Sequence, residues 1–175
     1  MKLLNFPELR QTYEYDCGSK ALQAVLEYYG IDVSEGSIMR VAGTSRKSGT
    51  PIKGILKVLK KYNLKLKEGQ LTITQIKKYL NKKIPVILLL QAWTGKKKIN
   101  WEKDWSDGHY VVAIGYNKNK FYFADPRSVL RTYLTYKELN KRWHDKESGE
   151  TYIHYGISVF GKKPKFNPKK RIHMG

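Results

Sequence analysis

The hydrophobic period of this chain changes once, near Pro85, and that change restricts the fold more than any other feature. Before it, apolar residues recur at helical spacing. Ala21, Leu22, Val25, Leu26 and Tyr29 form one stripe, stopped by Gly30. Ile52, Ile55, Leu56 and Leu59 form another, opened by Ser48-Gly49-Thr50-Pro51 and running to about Tyr62. Shorter helices are expected after Ser34 and near Thr74 to Asn81. After Pro85 the pattern is that of strands. Pro85 to Gln91 is apolar on both faces, as in a buried strand. His109 to Tyr116 and Phe121 to Asp125 read as a hairpin across Asn117-Lys118-Asn119-Lys120. Thr135 and Glu138 have capping-box spacing for a helix to Trp143, and Tyr152 to Phe160 alternates as a last strand. Helices first and strands second give an α+β domain over residues 1–160, with N-terminal helices packed on a C-terminal antiparallel sheet. Residues 161–175 hold six basic side chains, two prolines and no acid, and read as a basic, flexible tail.

Bulk properties narrow the function. The longest apolar run, Ile84 to Trp93, is too short to span a bilayer, and the first residues lack the apolar core of a signal peptide. A cytoplasmic location follows as an expectation. The single cysteine, Cys17, forbids an internal disulfide and suits a reducing compartment. The net charge is +19, from 34 basic and 15 acidic residues, which keeps nucleic acid among the conceivable partners. Only 7 of the 34 are Arg, however, leaving 27 Lys. Specific readers of phosphate and base edges lean on the arginine fork, so this surface argues against specific nucleic-acid binding.

Cys17 opens the first apolar-faced helix, between Asp16 and Gly18. A lone cysteine is usually a small buried hydrophobe. At a helix start, though, unpaired amides and the positive end of the dipole favour a thiolate, Asp16 can cap, and Gly18 leaves room for a substrate carbonyl. Among four histidines, His144 falls at a helix C-terminus, His154 in the last strand and His173 in the tail. His109 differs, because it enters an apolar strand after the wide loop Thr94–Gly108. Asp125 ends the partner strand of the same hairpin, so the two can share one site. That loop's Trp101 and Trp105, with Gly108, are candidates to line a substrate groove, although both indoles could simply pack on the sheet.

Hairpin register decides whether His109 and Asp125 meet. A two- or four-residue turn about Lys118 and Asn119 places Asp125 opposite Val112, on the other face from His109. A three-residue turn, or a bulge, places it opposite Val111 and on the face of His109, about 7–8 Å away by backbone. The pairing therefore demands an odd-length or bulged turn near Asn117 to Lys120. An oxyanion would also need donors, and Gln11, six residues before Cys17, can offer its amide beside the Cys17 N–H.

Gln11, Asp16-Cys17-Gly18, Tyr28-Tyr29-Gly30, Ser48-Gly49-Thr50-Pro51, Ile84-Pro85-Val86-Ile87, Gly108-His109-Tyr110-Val111-Val112 and Asp125-Pro126 together resemble the bacteriocin-processing cysteine peptidases. These are papain-like enzymes that cut after double-glycine leaders, with soluble stand-alone relatives. The likeness runs over roughly residues 8 to 160. It implies a papain-like fold with Cys17 as nucleophile, His109 as general base, Asp125 as its orienter and Gln11 in the oxyanion hole. It implies a peptide or protein substrate, no cofactor and no metal, and no His-Glu-x-x-His zinc spacing is present. Two alternatives keep the same residues: an amidase or transpeptidase acting by acyl transfer, and a basic, nucleic-acid-associated binding module with an unused site.

Overall fold

The computed structural model describes residues 1–175. Its order is β1 (Lys2–Leu3), α1 (Cys17–Tyr28), α2 (Glu35–Ala42), α3 (Ile52–Lys61), β2 (Lys65–Gln70), α4 (Ile73–Asn81), β3 (Val86–Gln91), β4 (Gly108–Tyr116), β5 (Lys120–Ala124), β6 (Thr132–Thr135), α5 (Tyr136–Arg142), β7 (His144–Glu147), β8 (Glu150–Ile153) and β9 (Tyr155–Phe160). This is the α+β, papain-like arrangement expected. Strands run β2-β9-β3-β4-β5-β6, every pair antiparallel. β1 pairs with Gly115 and Tyr116, where β3 has ended. β7 and β8 form a separate hairpin.

Three helix starts follow local chemistry. Ser34 caps α2, and Thr72 with Gln75 and Thr135 with Glu138 form reciprocal capping boxes on α4 and α5. Pro51 precedes α3, whose first amide, Ile52 N–H, donates to both Glu147 oxygens at 3.0 Å. β3 is buried along its whole length because helices cover both faces. On one face Tyr29, at the C-terminal cap of α1, donates to the Val159 carbonyl at 2.7 Å; on the other Tyr79 of α4 meets Phe160 edge-on. The strand expected over 152–160 is broken at His154, whose φ of +52° and stacking on Trp143 divide β8 from β9.

The β4–β5 register resolves the hairpin question in an unexpected way. The turn has an even length: Tyr116 pairs with Phe121 and Gly115 with Tyr122, and Asn117 N–H closes the turn on Lys120 O. Between Gly115 and Ala113 the register shifts by one, so Ala113 pairs with Phe123 and Val112 with Ala124. The extra residue is Ile114, a bulge in the body of β4. The expected shift therefore exists, but inside the strand instead of in the turn. Gly115 suits the spot, since a Cβ there would collide with the Lys2 carbonyl and Leu3 of β1.

Gly54 is where α3 crosses α2, and a Cβ there would overlap the Ala42 carbonyl. Gly54→Ala should cost about 3 kcal/mol, the upper part of the overpacking range. Gly36→Ala, on α2 with open space around it, should add about 0.5–1 kcal/mol. Denaturant midpoints at unchanged slope would check both.

Candidate active site

The first turn of α1 is held from outside the helix. Asp16 stands at its N-cap but makes no cap bond; its carboxylate instead accepts the Tyr13 amide at 3.1 Å. The expected cap is thus corrected. The Ser19 amide is taken by the Thr50 hydroxyl at 3.1 Å, within a triangle of Ser19, Thr44 and Thr50 hydroxyls. The Cys17 and Gly18 amides donate to no protein atom. A Cβ on Gly18 would meet Thr50 at 2.6 Å and Tyr110 at 3.0 Å. Gly18 therefore serves close packing of the helix start, and the half-buried Cys17 is set beside β4 by that packing.

His109 begins β4, paired with Leu90 of β3. The shifted register carries Asp125 round to the same face, and His109 Nε2 lies 2.7 Å from Asp125 Oδ1. Both side chains are buried. Asp125 also accepts the Arg127 amide at 2.9 Å, the Trp93 indole N–H at 3.0 Å and the Thr132 hydroxyl at 3.1 Å. Burial opposes charge on both groups. For His109 that penalty is outweighed by the bond to Asp125 and by the neighbouring Cys17 sulfur, and the imidazole pKa rises to about 9. For Asp125 it is outweighed by His109, the Arg127 amide and the Trp93 indole, which hold the carboxyl below its ordinary value. With Nε2 engaged by Asp125, Nδ1 is the ring nitrogen left for the sulfur.

Gln11 is tied to the same end of the molecule, its backbone N–H donating to the Pro126 carbonyl at 2.8 Å. One Nε2 hydrogen is used by the Tyr13 carbonyl at 2.6 Å, and Oε1 is buried without a partner. Beneath this loop Asp16 and Glu35 lie together. Burial, then Glu35, raises the Asp16 pKa, while Thr12 and Lys20 bond Glu35 at 2.5 and 3.0 Å. Two hollows flank the centre. One, of about 120 Å³, is lined by Cys17, Thr50, Tyr110, Asp145 and Glu147. The other, of about 360 Å³ and mostly apolar, is lined by Trp93, Trp101, Val111, Phe123 and Asp125. No three His, Cys, Asp or Glu side chains cluster to ligate a metal ion.

The sequence profile of the peptidase C39 family matches residues 5–147. The chain belongs to the peptidase C39 family, a family of cysteine peptidases. It is 28% identical over 162 residues to the lactococcin-A transport/processing ATP-binding protein LcnC of Lactococcus lactis, covering 91% of this chain and 19% of that protein. The chain thus spans about a fifth of the length of the curated relatives it matches. The peptidase domain of Streptococcus ComA superposes with a TM-score of 0.66 at 22% identity, over 88% of this chain and 97% of that one. A double-glycine-motif protease from an AMS/PCAT transporter, solved with its leader peptide, gives 0.62 at 22% identity and 89% of each chain. No helix is long and apolar enough to cross a membrane.

Within this C39 domain, sequence reasoning overlooked Trp93 and Thr132, which complete the shell of Asp125. Trp93 has a φ of +61°, an exception no period reveals, and β6 is too short and polar to announce Thr132. The structure brings Cys17, His109 and Asp125 together. Trp101 stacks under the Arg142 guanidinium and lines the apolar hollow, whereas Trp105 packs on His144 beneath Lys146. Gly108 lines the smaller hollow, and a Cβ there would collide with Asp145. His144 is a buried strand residue, its Nε2 bonding the Asp104 carbonyl at 2.7 Å, so it anchors the 94–108 loop; the helix-end reading is corrected.

The raised imidazole pKa carries a sign. Its folded value, about 9, lies above the ordinary 6.5, so protonated His109 stabilises the fold fully below about pH 6.5. That contribution fades as pH climbs through about 9. Asp125→Asn should lower the His109 midpoint in an NMR titration and flatten the loss of thermal stability across this window.

Proposed function

We propose that this domain hydrolyses peptide bonds through Cys17, His109 and Asp125, with the Gln11 amide and the Cys17 N–H as oxyanion donors. The observation that carries the reading is the division of the His109 ring: Asp125 holds Nε2 at 2.7 Å, leaving Nδ1 to the sulfur. The Cys17 thiolate attacks the carbonyl carbon, and the oxyanion meets the unpaired Cys17 amide. His109 gives its proton to the departing amine, leaving a thioester on Cys17. His109 then takes a proton from water, which attacks the thioester and releases the acid. Asp125 fixes the ring and supports its positive charge. Gln11 retains one Nε2 hydrogen beyond that given to Tyr13.

The substrate in this reading is a peptide or protein segment, as in the relative solved with a leader peptide. The lone thiol suits a reducing, cytoplasmic compartment.

Quenched-fluorescence peptides with mass analysis of the products test the proposal. Cys17→Ala and His109→Ala should abolish turnover, while Asp125→Asn leaves a measurable remnant, because the base survives without its orienter. Gln11→Ala should lower kcat by about 10²–10³ if it donates to the oxyanion. Turnover surviving Cys17→Ala would refute the proposal. Products joined to an added amine, in place of free acids, would assign acyl transfer.

A further inference from the structure

The small hollow beside Cys17 has an electrostatic character opposite to that of the molecule around it. The chain carries 15 acidic residues against 34 basic ones. Yet two of the residues lining this hollow are Asp145 and Glu147. The one lysine among the lining residues, Lys146, has its ammonium 4.7 Å from the centre of the Trp105 ring. Asp145 Oδ1 accepts the Gln91 side-chain amide at 3.0 Å and the Lys146 backbone amide also supports the carboxylate, while Oδ2 lies against Gly108. Tyr110 forms part of the wall, is only 6% exposed, and its hydroxyl makes no hydrogen bond within the protein. Burial, then Glu147, Cys17 and Asp145, push its pKa upward, so the ring shares the hollow with three acidic groups. Burial likewise raises the Asp145 and Glu147 carboxyls.

A free hydroxyl and two poorly solvated carboxylates, in a hollow of about 120 Å³ at the sulfur, are complementary to a compact cation on an aliphatic stem. A neutral or acidic side chain would leave Asp145 Oδ2 and the Tyr110 hydroxyl without a partner, while Glu147, whose oxygens both accept the Ile52 amide at 3.0 Å, adds negative charge beside them. We infer that this hollow is the subsite for a basic side chain, lysine foremost, within two residues of the bond that is cut, with Asp145 as the specificity-determining residue and Tyr110 and Glu147 beside it. The inference rests on Cys17 being the nucleophile, and it deepens the peptidase reading by naming a substrate class.

Two measurements separate the fate of this inference from that of the peptidase reading. The first compares kcat/KM on peptide libraries holding lysine or its uncharged isostere norleucine at each position around the cut. Lysine should win by at least about tenfold at one position, the scale of one partly desolvated charge contact. Asp145→Asn, which keeps the acceptor for Gln91, should collapse that ratio. Should that variant lose its fold, Glu147→Gln serves in its place. The second needs no turnover. Cys17, the single thiol, attacks a methanethiosulfonate reagent, forming a mixed disulfide and releasing methanesulfinate. The aminoethyl reagent should outpace the sulfonatoethyl one by more than it does with free glutathione, although a net charge of +19 favours the anion. Cation preference without cleavage of any peptide would uphold the subsite and count against the peptidase. Cleavage indifferent to lysine, with the anionic reagent faster at Cys17, would overturn the subsite and leave the peptidase standing.

Discussion

The 2.7 Å contact between His109 and Asp125 is the interaction on which the rest of the site depends, and one extra residue in β4 makes it possible. Side chains on a strand alternate faces, so an unbroken ladder from an even turn would carry Asp125 to the opposite side from His109. Ile114 absorbs the difference. The bulge lies far enough from the turn for Asn117 to close it, and far enough from His109 for regular pairing with β3 from Gly108 to Ala113. Gly115 then lets β1 close over the irregular segment. A local disruption of the sheet is thus surrounded by ordinary pairing.

Around that contact, the fold supplies positioning and the charges set the chemistry. Thr50 bonds the first turn of α1, and Gly18 lets it sit against Tyr110, which brings Cys17 to the start of β4. Asp125 has three further donors besides His109, so its carboxylate is held in one orientation and kept ionised despite burial. An ionised buried carboxylate is what raises the imidazole pKa against the penalty of its own burial. The molecule's large positive charge is mostly carried by exposed lysines spread over helices, strands, loops and the tail. The two carboxylates beside Cys17 are local exceptions to it.

Much of this was readable from residue order. The helical stripes about Leu22 and Ile55, the apolar run of β3 and the capping box at Thr135 each state their structure locally, because period and cap chemistry act over a few residues. What escaped was set by distant contacts. β2 reads KLKEGQ and looks like a loop; it is a strand because β9 offers it an edge, and its lysines suit an edge position. The α1 cap comes from Thr50, 31 residues from the amide it satisfies, so the adjacent Asp16 misled. Register arithmetic showed that a one-residue shift was required, but whether it fell in the turn or at Ile114 depended on packing against β1. Trp93 was invisible because its left-handed backbone belongs to no periodic element.

The central claim is that Cys17 and His109 act as one unit. Its most direct test is the rate of Cys17 alkylation by iodoacetamide across pH, in the unaltered protein and in His109→Ala. A coupled pair predicts rapid alkylation well below pH 8 in the unaltered protein, and a sharp slowing in the variant throughout that range. A rate that follows an ordinary free thiol in both proteins, indifferent to His109, would contradict it.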